Sequence, residues 1–303
     1  MKTTYINTFQ DIHLFMDKKM EQNNQVKNPL AQFFRQPKIY MTLPSNGKFY
    51  PPDALDMPEN GELPVFAMTA KDELLMRTPD ALMNGASTVE VVKSCVPNIK
   101  NPWFMPAVDI DAVLMAIRYA TFGQDMEVST VCPNCNESAD KVVDLRSLLD
   151  TLRHVEFTER LEVDNDMVLW IRPLTYDQIT RTALKTFEQQ RIFSIVNDDS
   201  INDDKKLELF QSSFIKLTEL TIDTVSDSID KIECAAGIVT DSAFIKEFLA
   251  NTDKKIFSAV QDAVAKSREA GKIDALATEC PSCQHQYQVT LTFDQADFFG
   301  AAS

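Results

Sequence analysis

The chain has 303 residues, of which 44% are hydrophobic and 25% charged, enough for two globular domains with a sizeable core. Its net charge of −15 disfavours a phosphate-backbone partner, and its 7 glycines disfavour the glycine-rich loops that cradle nucleotides. No run of about 18 apolar residues is present to span a membrane, and no apolar leader opens the chain, so the expected setting is a cytosol, where six cysteines read as metal ligands and buried thiols rather than disulfides.

In chain order, Tyr5, Ile6, Phe9, Ile12, Phe15, Met16 and Met20 recur at helical spacing. They predict an N-terminal amphipathic helix or arm over 1–27, packed on this protein or on a partner. A strand is expected over 38–43, then a turn at Pro44-Ser45-Asn46-Gly47, then a strand over 62–68. Thr69 is placed to cap a helix reaching Arg77. Thr78-Pro79 restarts a helix that Gly85 can end. Ser87-Thr88-Val89-Glu90 has the form of a capping box, and Asp109 is placed to cap a helix ended by Gly123. Trp103 and Phe104 lie in a proline-punctuated loop and are candidate docking or core aromatics. This mixed α/β segment is expected to occupy 28–127.

A strand over 128–131 leads into Cys132-Pro133-Asn134-Cys135, and a second strand leaves it over 141–145. After a short helix near 148–152, 161–163 and 167–172 read as a hairpin around Asp164-Asn165-Asp166, a solvated turn. Thr175-Tyr176-Asp177-Gln178 is a further capping box, opening a helix to about 196. Helices follow over 203–220, 241–249 and 252–269, while 226–234 is ambiguous: Ile229 and Ile232 fit a helix, but the Ser/Asp content weakens it. Then comes Cys280-Pro281-Ser282-Cys283, with an alternating strand over 287–293 and a tail carrying Phe298 and Phe299.

The two Cys-Pro-x-Cys stretches are the only internal repeat. Two cysteines separated by two residues in a tight turn aim both sulfurs at one point, and two such turns supply four thiolates in the pattern of tetrahedral zinc. The preferred reading is one shared structural Zn2+ on Cys132, Cys135, Cys280 and Cys283. Two redox pairs, or a site without metal, are the alternatives. His285 could stand in for a ligand but is expected at the surface, and His13 and His154 have no partner at ligand spacing. Cys95 and Cys234 are expected as buried thiols. No nucleophile elbow, zinc-protease motif or EF-hand loop occurs, so no catalytic or cofactor-binding residue is assigned and no small-molecule substrate is expected.

The expected fold is therefore α+β, mainly helical. A split four-cysteine zinc ribbon (128–145 plus 274–294) flanks a long, mainly helical insertion over 146–273.

Ile39 to Tyr50, which includes Leu43-Pro44-Ser45-Asn46-Gly47, resembles the Leu-Pro-Ser-x-Gly-x-x-Tyr opening of the T-even-type myophage baseplate proteins, assigned to the baseplate hub or its assembly. Met68 to Glu73, Thr78 to Gly85, Asp109 to Gly123 leading into Cys132, and Arg172 to Tyr176 are similar to the same family. The resemblance covers 38–180 well and the rest loosely. It implies a non-enzymatic virion or assembly protein of the contractile tail. Its partners would be other phage baseplate, hub or tail proteins. It would be assembled in the host cytoplasm and could be retained in the virion. A zinc-ribbon nucleic-acid-binding or transcription accessory protein is the competing reading, opposed by the net charge.

Overall fold

The structure is a computed structural model that describes residues 29–78, 85–152, 159–164, 166–196, 202–270, 273 and 275–289. The expected N-terminal helix, the helix restarted at Thr78-Pro79, His13, His154 and the Phe298-Phe299 tail lie outside the described residues. The chain divides into two compact units, Met1–Gln36 and Pro37–Ser303. In the first, the described residues hold one 3-10 turn, Pro29–Phe33.

In the second unit, β1 (Pro37–Met41) pairs antiparallel with β2 (Leu63–Phe66), with Met41 opposite Leu63. Alternate residues of β2, Leu63 and Val65, are fully buried, which is the period-2 signature of a half-buried strand. Helix α1 (Ala70–Met76) starts as its sequence predicts: the Thr69 hydroxyl accepts from the Asp72 amide, and the Asp72 carboxylate accepts from the Thr69 amide at 2.7 Å. Asp72 also accepts from the Ser94 hydroxyl on α2 (Ala86–Cys95), so one buried carboxylate caps the first helix and ties it to the second.

The Ser87 capping box does not form. Gly85, at φ 75°, is the residue before α2, and Ser87 lies inside the helix with its hydroxyl donated to the Leu75 carbonyl. A Cβ on Gly85 would stand 3.0 Å from the Tyr176 ring, so both the backbone angle and the packing call for glycine there. Asp109 is likewise no cap. Helix α3 (Ala107–Phe122) begins after Pro106, and Asp109 sits in its first turn, fully buried. Its carboxylate accepts from the Ser45 amide at 2.8 Å and the Ser45 hydroxyl at 2.6 Å. That pair pins the Pro44-to-Gly47 turn, in which Asn46 and Gly47 have positive φ. Burial pushes the Asp109 carboxyl up to about 6 against the lowering effect of the Ser45 donors and Tyr50, whose hydroxyl is buried without a well-formed hydrogen bond.

Helix α3 is buried on nearly every side, as its almost uniformly apolar sequence requires. It forms the centre of the first core with Leu63, Val65, Val91, Val92 and Leu145. Gly123 ends it, and the chain enters the hairpin of β3 (Asp125–Val131) and β4 (Ser138–Asp144), followed by α4 (Leu145–Leu152). Trp103 packs against this core and stacks on Tyr176 at 5.7 Å, whereas Phe104 stays exposed. Cys95 is buried in the same core.

Residues 146–273 contain more than helices. A four-stranded antiparallel sheet runs in the order β5 (Arg160–Asp164), β6 (Met167–Ile171), β7 (Ile229–Cys234), β8 (Gly237–Val239). The ambiguous segment 226–234 thus resolves as the end of a helix followed by a strand, because Ile229 and Ile232 pair with Ile171 and Leu169. Between β6 and β7 run α5 (Tyr176–Val196) and α6 (Asp203–Asp227). The Thr175–Gln178 capping box forms at the start of α5. Helices α7 (Ser242–Asn251) and α8 (Lys254–Ala270) cover the sheet, and Ile245, Leu249, Val260 and Val264 join Leu169 and Ile171 in a second core. The chain is α+β. Cys234 is only half-buried, its thiol donating to the Gly237 carbonyl. No described helix is long and apolar enough to cross a membrane.

Candidate metal centre

The cysteine repeat lies at the tips of two hairpins built alike. In the first, Val131 pairs with Ser138 and the knuckle spans 132–137; in the second, β9 (Leu276–Glu279) pairs with β10 (Gln286–Val289), Glu279 faces Gln286 and the knuckle spans 280–285. The Cys132 amide donates to the Glu137 carbonyl and the Asn136 amide to the Cys132 carbonyl, both at 2.9 Å. The Cys280 amide donates to the His285 carbonyl at 3.0 Å and the Gln284 amide to the Cys280 carbonyl at 2.9 Å. Asn136 and Gln284 both adopt positive φ, 57° and 58°. The repeat therefore continues past the second cysteine in backbone geometry where the side chains no longer match. Asparagine is a readable signal for that conformation and glutamine is not.

The structure brings all four sequence-predicted cysteines together. Their sulfurs lie within 4.8 Å of one another, with Cys132 to Cys283 at 3.7 Å and Cys135 to Cys280 at 3.6 Å. A regular tetrahedron with Zn–S bonds of ~2.3 Å has edges of about 3.8 Å, so this set fits one tetrahedral ion. It does not fit disulfides, whose sulfurs sit ~2.05 Å apart. Cys132 and Cys280 are buried, Cys283 is half-buried and Cys135 exposed. The thiols are electrostatically unequal. The Asn134 amide and the His285 backbone amide hold Cys283 below its ordinary value. The Glu137 amide lowers Cys135, but hydrogen bonds with Cys283, burial, and hydrogen bonds with Cys280 and Cys132 outweigh it and push that thiol up. Four thiols this close cannot all ionise without a cation among them, and this cluster can hold a metal ion.

Side chains that the sequence did not single out fasten one hairpin to the other. The Thr130 hydroxyl meets the Tyr287 hydroxyl at 2.9 Å and donates to the Ala139 carbonyl. Lys141 Nζ donates to the Glu279 carbonyl at 3.0 Å, and Asn134 Nδ2 to Cys283 Sγ at 3.6 Å. Thr130 stands opposite Ala139 in its hairpin, just as Thr278 stands opposite Tyr287 in the other. Only an overlay of the two repeats onto paired strands would have shown Tyr287 as the longer reach. His285 is exposed, stacks on Tyr287 and contributes its carbonyl to the knuckle. A groove of about 370 Å³ separates the hairpins and is lined in part by Val128, Val143, Leu148, Leu276 and Val289.

These features sit in a chain whose residues 36–300 match the family model described as T4 bacteriophage base plate protein. The match includes both cysteine hairpins and extends past the part that the sequence motifs covered. The chain belongs to the T4 bacteriophage base plate protein family. No curated protein and no solved structure matches it.

Proposed function

We propose that the chain is a hub subunit or hub-assembly factor of a contractile phage tail baseplate, acting by protein–protein binding in a non-enzymatic role. Membership of the baseplate family over 36–300 carries this reading. On this reading the protein is assembled in the host cytoplasm, with other baseplate, hub or tail proteins as partners. Mass spectrometry of purified particles and pull-down from infected-cell lysate test it. Recovery with hub proteins is the expected result. Recovery with no tail component would refute it.

The same proposal assigns Cys132, Cys135, Cys280 and Cys283 as ligands of one structural Zn2+ in a split ribbon, 128–145 plus 274–294. The sulfur separations support that assignment. Four thiolates close the coordination sphere, so the ion would supply a cross-link and no open position for chemistry. On this reading the ribbon closes 146–273 as an insertion, after a segment 28–127 and an arm 1–27. Elemental analysis of the purified chain is expected to find about one zinc per molecule. A well-folded, metal-free native protein would overturn the assignment.

A further inference from the structure

We infer that Asn134 is a positioning residue for the metal site: its amide holds Cys283, a sulfur of the opposite knuckle, in place. This rests on the zinc reading above. The four ligands come from two hairpins remote in sequence, so the relative placement of the hairpins decides whether the sulfurs meet. Apart from the cysteines themselves, Asn134 is the one knuckle side chain among the described residues that crosses from one hairpin to a sulfur of the other, with Nδ2 3.6 Å from Cys283 Sγ. A thiolate only accepts hydrogen bonds, so the amide must present its N–H₂ and not its oxygen.

The repeat supplies an internal control. Ser282 occupies the place of Asn134 in the second knuckle, between the proline and the second cysteine, and makes no corresponding bond to a sulfur. The arrangement is one-sided: the first knuckle reaches for the second. Groups that donate to metal-bound atoms orient the ligand and tune affinity, and their loss costs on the order of 10- to 100-fold in metal binding.

The experiment uses the full chain, with zinc affinity measured by competition against a chromophoric chelator and with the thiolate-to-metal absorption band of the Co2+-substituted protein. Asn134→Ala is expected to weaken zinc binding by on the order of 10-fold and to shift the Co2+ band. Asn134→Asp keeps the shape but turns a carboxylate toward the sulfur, and is expected to weaken binding further. Ser282→Ala is expected to match the wild type. Unchanged affinity in both Asn134 variants would overturn the inference while leaving the zinc reading intact. Equal losses in Asn134→Ala and Ser282→Ala would also overturn it, because the effect would then belong to the turn. A wild-type chain that takes no metal would defeat both.

Discussion

The two cysteine hairpins share a turn but not a foundation. In the first, Met126, Thr130 and Val143 are buried, and both strands run straight into the helices of the first core, α3 through Gly123 and α4 through Leu145. In the second, no side chain of β9 or β10 is fully buried, and Leu276 only packs against the edge of that core. The knuckle sequence is therefore enough to shape a thiol pair but not to place it. Placement comes from core packing on one side. On the other it comes from the sulfur cluster, Thr130–Tyr287 and Lys141–Glu279.

Removing the cluster should break the comparison most visibly. Cys132→Ser combined with Cys280→Ser is expected to abolish zinc binding and strip amide-exchange protection from 276–289, while α3 and β3 stay protected. Structural zinc commonly contributes on the order of 10 kcal/mol of binding energy to small domains, so this is the largest effect expected. Equal loss of protection in both hairpins would show that the first is not independently founded.

Next in size is Leu145→Ala, which empties a fully buried site at the root of the first hairpin. Chemical denaturation should show a loss of roughly 2–5 kcal/mol. Its zinc affinity should fall only through global unfolding.

Asp109 tests the same foundation through pH. Its folded value, about 6, lies above the ordinary 3.8, so the folded protein holds this proton more tightly than the unfolded chain does. The resulting stabilisation is complete below about pH 4 and is lost as pH rises through 6. Relative to Asp109→Asn, the wild type should lose about 3 kcal/mol of unfolding free energy across that window. Parallel pH profiles for the two proteins would refute the assignment. The smallest effect is expected for Tyr287→Phe, which deletes the hydroxyl contact to Thr130. It should cost about 1 kcal/mol and raise exchange in 276–289 alone.

The features legible in the sequence were those set by neighbouring residues. The Cys-Pro-x-Cys turns, the Thr69 and Thr175 caps and the hairpin of β5 with β6 all depend on residues a few positions apart. Where the sequence misled, a distant partner had taken over a local signal. Asp109 has the chemistry of a cap, but Ser45, far back in the chain, uses its carboxylate. Ser87 offers a capping hydroxyl that Leu75 claims. Ile229 and Ile232 sit three apart, as on a helix, yet β6 supplies a strand partner that the period cannot reveal. In the cysteine cluster the four residues that come together were legible and their fastenings were not. Thr130, Lys141 and Asn134 acquire their roles only once the second hairpin is beside the first.

The order of the two knuckles along the chain also sets a clock. During synthesis Cys132 and Cys135 emerge well before Cys280 and Cys283 exist. At roughly 5–20 residues per second, the wait lasts on the order of ten seconds. Through that interval the nascent protein carries only the first pair of the four clustered thiols, half of the proposed binding site, so a chain that stalls anywhere in 136–279 never completes it. Metal uptake would then distinguish chains that have passed Cys283 from those that have not.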